Sequence, residues 1–196
     1  SRTITARSGV PLTGFRDDPY TITDLNKLTA AQNDMQKWQW WLNDDPSTTI
    51  NDIEAQTMTL YRDLGRIDLV WVDYIQIIKI INSKGRDKRH DIDEISGRLK
   101  ALGKTIQCPI IALSQLKRTD GIYNKELGRT LAKRPELNDL KESGGLEADA
   151  DVINLIHRDI RHEPEKAQFI IAKNRGGPTG ELDMTYNPQL TTFRDG

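Results

Sequence analysis

The amino-acid sequence predicts an α/β fold with parallel central strands. Two apolar runs, at 68–74 and 109–114, are too short for helices and are as apolar as strands covered on both faces. An amphipathic helix pattern lies between them and completes a β-α-β unit. Three further strand patterns follow at 152–156, 167–172 and 182–186. Helices and strands therefore alternate first and strands dominate last, which is typical of this fold class.

Composition and charge indicate one water-soluble domain. The 196 residues suffice for a single core, and no apolar run approaches the ~20 residues that a bilayer crossing needs. We therefore expect a cytoplasmic protein without membrane contact, in which the only cysteine, Cys108, is a buried free thiol. The net charge of −1 excludes a strong overall field for nucleic acid, so any such contact needs local basic loops.

The first part of the chain leads from a connector into the core. Residues 1–20 are polar and rich in turn-forming residues, and we interpret them as a connector to an α/β core at 21–196. Apolar residues at roughly helical spacing predict a helix over 22–38. The following Trp40-Trp41-Leu42 predicts a short strand.

Two helices flank the first apolar run. Thr49, with Asp52 three residues later, forms a capping-box pattern that begins one helix, and Gly65 ends it. Apolar residues at alternating spacings of three and four over 92–106 predict the second.

The segment between Leu116 and Leu137 fits neither the helical nor the strand period. At ~20 residues it is much longer than a usual connection. It is locally basic, with Lys117, Arg118, Lys125, Arg129, Lys133 and Arg134. We interpret it as a functional loop, and the alternative is a solvated connection.

Polar side chains follow the two central strands. Asp73 ends the apolar run at 69–72, in the position where nucleotide hydrolases hold a hydrated Mg²⁺. Gln115 ends the next strand, and its amide could donate to a γ-phosphate without adding charge. Because crossover connections keep parallel strand ends together, we expect both residues at one edge of the sheet. The alternative is that both are ordinary solvated strand ends.

Several segments together resemble the DnaB-type replicative DNA helicases, in the order and spacing of that family. The resemblance covers roughly the whole chain and is strongest from about residue 67. The segments are Val72-Asp73-Tyr74-Ile75-Gln76, Ile95-Ser96-Gly97-Arg98-Leu99-Lys100-Ala101-Leu102, Ala112-Leu113-Ser114-Gln115-Leu116, Lys133-Arg134-Pro135, Asp139-Leu140-Lys141-Glu142-Ser143-Gly144, Glu147-Ala148-Asp149-Ala150-Asp151 and Lys173-Asn174-Arg175-Gly176-Gly177-Pro178-Thr179-Gly180.

This resemblance implies a RecA-like fold, in which a mostly parallel sheet is flanked by helices and antiparallel strands lie at the C-terminal end. It further implies a hexameric ring of identical subunits with ATP and Mg²⁺ between neighbours. Asp73 would be the Walker B acid that holds Mg²⁺ through water, and Gln115 the sensor. Lys173 and Arg175 would reach the γ-phosphate bound by the adjacent subunit. If the resemblance is set aside, the alternative is that these two residues belong to a basic hairpin that points into solvent.

The resemblance also implies a path for single-stranded DNA along residues 139–144. The residues expected to bind DNA are Lys141, Glu142, Ser143, Gly144, Lys117 and Arg118. Phosphate groups would be bound there without base readout. Lys141 stands where the family usually has arginine, so a point charge replaces a bidentate contact. Primase and a helicase loader are further expected partners.

The sequence contains no phosphate-binding loop of the pattern Gly-x-x-x-x-Gly-Lys-[Ser/Thr]. The resemblance places residue 1 just after that segment, so the P-loop strand and helix are missing. We therefore expect a truncated part of a helicase motor that does not hydrolyse ATP alone. Two alternatives stay open: a catalytically inactive binding or assembly module, and another RecA-like DNA-dependent ATPase such as a recombinase.

Overall fold

The computed structural model describes residues 2–11, 20–81, 85, 87–116, 121–124, 128–140 and 144–196. The helices are α1 (Arg2–Ser8), α2 (Ile22–Met35), α3 (Ile50–Leu64), α4 (Lys88–Ile106) and α5 (Gly144–Asp149). The strands are β1 (Val70–Val72), β2 (Ile110–Ala112), β3 (Ile122–Asn124), β4 (Arg129–Leu131), β5 (Val152–His157), β6 (Lys166–Asn174), β7 (Gly180–Asn187) and β8 (Thr192–Asp195). Short 3-10 helices span Ile75–Ile77 and Leu137–Leu140.

The described strands pair in three groups. β1 and β2 are parallel and are connected through α4, as the predicted β-α-β unit requires. β3 and β4 form an antiparallel pair. The last four strands form an antiparallel sheet in the order β5-β6-β7-β8. The predicted α/β class, with parallel strands followed by antiparallel strands at the C-terminal end, is confirmed.

The ends of α3 follow the sequence prediction. The hydroxyl of Thr49 accepts a hydrogen bond from the Asp52 backbone N–H at 3.2 Å, and the Asp52 carboxylate accepts one from the Thr49 N–H at 2.9 Å. This reciprocal pair satisfies two amides that the first helical turn leaves unbonded. Gly65 ends the helix with a φ of 74°, in the left-handed region where glycine is favoured.

The main core lies between α4 and the parallel pair. Its buried apolar members on α4 are the five residues whose spacing predicted this helix: Ile92, Ile95, Leu99, Leu102 and Ile106. The first three pack with Ile50, Val72 and Ile75 in one cluster. The last two form a second cluster with Cys108, which confirms that the thiol is buried. Burial raises the pKa of this thiol, so the uncharged form is favoured.

The parallel strands are covered on one face only, so the prediction that both faces are buried is wrong. Val72 lies in the core, whereas Trp71 is 57% exposed and its register partner Ile111 is 41% exposed. Successive side chains of a strand point to opposite faces, and α3 and α4 pack against one of them. No described element covers the other face.

The N-terminal part differs from the prediction at two points. Residues 2–8 form α1, although no complete element was expected within 1–20, and α1 packs against α2 with an ion pair between Arg7 and Asp34. Trp40-Trp41-Leu42 was expected to be a strand, and it is not one. A strand needs a hydrogen-bonded neighbour, and no described strand pairs with this exposed segment.

The long basic segment also contains structure that the sequence did not indicate. β3 and β4 form a hairpin within it, so the expectation of a segment without secondary structure is wrong for these residues. Each strand has only three residues, too few to show a period, and neither lies in an apolar run like those that predicted β1 and β2. Gly128 precedes β4 with a φ of 61°. β8 was likewise not predicted as a separate strand.

None of the helices in the described residues has the length and apolar character of a membrane span.

We predict that Thr49→Ala lowers the free energy of unfolding by about 1 kcal/mol, because the cap of α3 is lost. Denaturant unfolding measures this change. Thr59→Ala is the matched control, since Thr59 lies on the exposed face of the same helix and bonds only within it. An equal loss of stability in both variants would contradict the capping role.

Candidate functional site

Asp73 and Gln115 lie at the same edge of the parallel pair, as predicted. Val72 and Ala112, the last residues of β1 and β2, are register partners. The ladder continues past the strand ends, because the Leu113 N–H donates to the Val72 carbonyl at 2.9 Å. Asp73 follows β1 directly and Gln115 follows β2 within three residues. We name this place the Asp73/Gln115 edge.

A neighbouring residue, Gln76, holds this edge together. Its amide nitrogen donates to the Ser114 hydroxyl at 2.8 Å and to the Gln115 carbonyl at 3.1 Å. Its amide oxygen accepts from the Gln115 N–H at 3.2 Å. One side chain therefore links the segment after β1 to the backbone of Gln115. Gln76 had no predicted role, although a lone polar residue between Ile75 and Ile77 is a signal that could have indicated one.

The two side chains at this edge are available to a ligand. Asp73 and Gln115 are both exposed, and neither side chain hydrogen-bonds to another of the described residues. Carboxylate oxygen is a ligand that Mg²⁺ prefers, and the ion commonly keeps several waters. The described residues contain no group of three or more His, Cys, Asp or Glu side chains that could hold a metal. A single carboxylate acting through water fits this edge.

Lys173 and Arg175 belong to a different part of the molecule, which we name the basic hairpin (residues 173–180). It connects β6 to β7, and Asn174 shapes its turn by bonding the Gly176 N–H and the Pro178 carbonyl, each at 3.2 Å. The Lys173 ammonium donates to the carbonyl of Glu147 in α5. The Arg175 backbone N–H donates to the Asp151 carbonyl at 2.8 Å. Both cations are therefore anchored beside α5.

Asp151 is the centre of an ion-pair network at the basic hairpin. Its carboxylate pairs with Lys100 of α4 and lies 3.7 Å from the Arg175 guanidinium. These cations lower the pKa of Asp151, chiefly through the hydrogen bond from Lys100. The carboxylate is therefore ionised at neutral pH, and Arg175 is 75% exposed beside it.

The chain does not assemble all four predicted site residues into one site. No hydrogen bond or ion pair between described residues joins Asp73 or Gln115 to Lys173 or Arg175. The first two follow strands of the parallel pair, and the other two lie on or after β6 of the four-stranded sheet. The four predicted site residues thus lie in two groups, one at each of these two sheets.

The predicted DNA-binding residues Lys117, Arg118, Lys141, Glu142 and Ser143 lie outside the described residues. Gly144 is described and begins α5.

The start of α5 is tied to α4 by Gly145, which the sequence analysis did not single out. Its N–H donates to the Asp93 carboxylate at 2.9 Å. A Cβ at Gly145 would lie only 2.5 Å from that Asp93 oxygen, so the close approach requires glycine. The residue that directly follows the predicted DNA segment is therefore bonded to α4.

Comparisons with known proteins give a consistent result. The family model described as DnaB-like helicase C terminal domain matches residues 1–195. The chain is 29% identical to the replicative DNA helicase DnaB of Geobacillus stearothermophilus and 37% identical to that of Buchnera aphidicola subsp. Baizongia pistaciae. Each match covers 98% of this chain but only 42% and 41% of the relatives, so the chain spans about two fifths of their length.

Two solved structures share the fold. One is described as an ATPase domain, with a TM-score of 0.83, 26% identity, and coverage of 99% of this chain and 68% of that chain. The other is described as a DnaB-like replicative helicase and its interactions with primase, with a TM-score of 0.82, 26% identity, and coverage of 98% and 47%. These neighbours are RecA-like helicase ATPase domains, so the predicted RecA-like fold is confirmed.

We predict that Gln76→Leu speeds amide hydrogen exchange at Gln115 by about tenfold, because hydrogen bonds of ~1 kcal/mol each are lost. Exchange read by NMR or mass spectrometry over residues 113–116 measures it. Ser114→Ala is the matched control, since it removes only the contact with the Ser114 hydroxyl and leaves the Gln115 N–H bonded. Similar exchange in both variants would show that Gln76 does not hold this edge.

Proposed function

Because this chain belongs to the family of DnaB-like helicase C-terminal domains, we propose that it forms part of the ATP-driven motor of a replicative DNA helicase. The motor acts in the cytoplasm as a hexameric ring that translocates on single-stranded DNA and unwinds the duplex. The observation that carries this proposal is the Asp73/Gln115 edge, where an exposed carboxylate and an exposed amide follow neighbouring parallel strands. Ligands of open α/β sheets bind at this end of the strands.

The residues at this edge have distinct roles in the proposal. ATP with Mg²⁺ supplies the phosphoryl bond whose hydrolysis drives the motor. The Asp73 carboxylate would hold a water of the hydrated ion, and the Gln115 amide would donate to the γ-phosphate. Gln76 positions Gln115 through its backbone. The phosphate-binding loop would come from the rest of the ATPase domain, since this chain corresponds to 68% of one such domain.

We assign the basic hairpin a role at the ATP site of a neighbouring subunit. Lys173 and Arg175 are not joined to the Asp73/Gln115 edge of their own chain, and the Arg175 side chain is 75% exposed. An arginine that is exposed and anchored through its backbone suits a donor supplied across an interface, where its planar guanidinium stabilises charge developing on the phosphate.

DNA contact is proposed for residues 141–144, with Lys117 and Arg118 as further contacts. The contact between Gly145 and Asp93 supports this, because it bonds the residue directly after the segment to α4. Primase and a helicase loader are proposed partners of the whole protein; a structural neighbour is described with its primase interactions.

A second candidate function is a catalytically inactive binding or assembly module. DNA binding and ring assembly by the intact protein without any ATP hydrolysis would support this candidate against the motor.

We predict that Arg175→Ala in the intact protein reduces ATP hydrolysis by a factor of about 10³, since arginine fingers contribute ~10³–10⁵ in related systems. Nucleotide affinity should change much less. Mixing this variant with Asp73→Ala should restore part of the activity, because some interfaces then combine an intact Asp73 with an intact Arg175. Wild-type hydrolysis by Arg175→Ala in an assembled ring would exclude the trans role.

We predict that Lys141→Ala weakens single-stranded DNA binding and makes its salt dependence shallower by about one unit of slope, because one phosphate contact releases about one counterion. Binding titrations at several salt concentrations measure the slope. Lys27→Ala on the exposed part of α2 is the control for loss of one positive charge. An unchanged slope for Lys141→Ala would remove Lys141 from the DNA path.

A further inference from the structure

Arg175 shares its acidic partner with a second cation. The Lys100 ammonium bonds one carboxylate oxygen of Asp151, Oδ2, and the Arg175 guanidinium faces the other, Oδ1, at 3.7 Å. At 3.7 Å the guanidinium forms an ion pair without a hydrogen bond. Lys100 is the less exposed cation, at 23% against 75% for Arg175. The carboxylate is therefore bound firmly by Lys100 and only loosely by Arg175.

The backbone keeps Arg175 next to this carboxylate whichever way its side chain turns. Its N–H donates to the carbonyl of Asp151 itself, at 2.8 Å. A guanidinium placed this close to a free carboxylate would form two parallel hydrogen bonds, the strongest arrangement available to this pair. Lys100 prevents that arrangement by occupying Oδ2.

We propose that Lys100 and Asp151 are positioning residues that keep Arg175 beside α5 but leave its guanidinium free to move away from the Asp151 carboxylate. The Asp151 backbone carbonyl accepts a hydrogen bond from the Arg175 backbone N–H, and Lys100 neutralises the Asp151 carboxylate. When the guanidinium moves to an anionic ligand, the carboxylate retains a cationic partner and no unpaired charge is left behind. The cost of releasing the arginine is thereby kept low. The role of Arg175 in hydrolysis rests on the proposed function, whereas its availability does not.

The test measures that availability directly. In the intact protein, hydroxyphenylglyoxal modification of Arg175 is followed by mass spectrometry, together with kcat and KM for ATP. Lys100→Met should slow modification of Arg175 by about twofold to fivefold, the range expected for an exposed ion pair worth up to ~1 kcal/mol. It should lower kcat by a similar factor and leave KM nearly unchanged. Adding Asp151→Asn to Lys100→Met should restore both the modification rate and kcat.

Lys104→Met is the matched control. Lys104 lies one turn further along α4 and acts on Asp151 only through charge, so its removal should leave Arg175 as reactive as in the wild type. Unchanged modification of Arg175 in Lys100→Met would overturn the inference, and so would a slower rate that Asp151→Asn does not restore. Failure of the proposed function is separate, since it would appear as normal hydrolysis by Arg175→Ala whatever the modification rates are.

Discussion

Three consecutive backbone pairs, from Val70 with Ile110 to Val72 with Ala112, align β1 and β2 in parallel. Parallel strands need a crossover connection, and α4 supplies it while burying Ile95 and Leu99 against the same strands. The helix thus determines both the direction of the pair and the position of its C-terminal edge. Asp73 and Gln115 lie close together only because this pairing places both strand ends at that edge.

Polar contacts refine what the hydrophobic core positions only coarsely. Apolar packing is not directional, so it can align two strands without orienting the backbone beyond their ends. Hydrogen bonds are directional, and those from Gln76 orient Ser114 and Gln115 after β2 ends. At the basic hairpin, the Asp151 carbonyl accepts from the Arg175 backbone N–H, and Lys100 pairs with the Asp151 carboxylate. The side chains of Gln115 and Arg175 are thus left exposed, whereas their backbone N–H groups are held by hydrogen bonds.

Elements with a long or strong local pattern could be predicted from the sequence. The five apolar positions of α4 and the capping box of α3 repeat or reinforce a signal over a full turn or more. The β3-β4 hairpin gave no such signal, because its strands are as short as β1 and β2 but mix polar with apolar residues instead of lying in apolar runs. The strand expected at Trp40-Trp41-Leu42 was wrong for a related reason: its pattern was local, but a strand also depends on a partner elsewhere in the chain.

The sequence by itself determined the α/β class, the order of the main elements, the family resemblance, and the placement of Asp73 and Gln115 at strand ends, since side-chain periodicity and motif spacing are local properties. Only the tertiary structure decided which residues hold these side chains and which faces stay exposed. Gln76 meets Gln115 across 39 positions of sequence, and Lys100 meets Asp151 across 51. The outer face of β1 and β2 is open although its residues are as apolar as those of the core. Burial and long-range hydrogen bonds depend on which segments meet in space, and no local pattern records that.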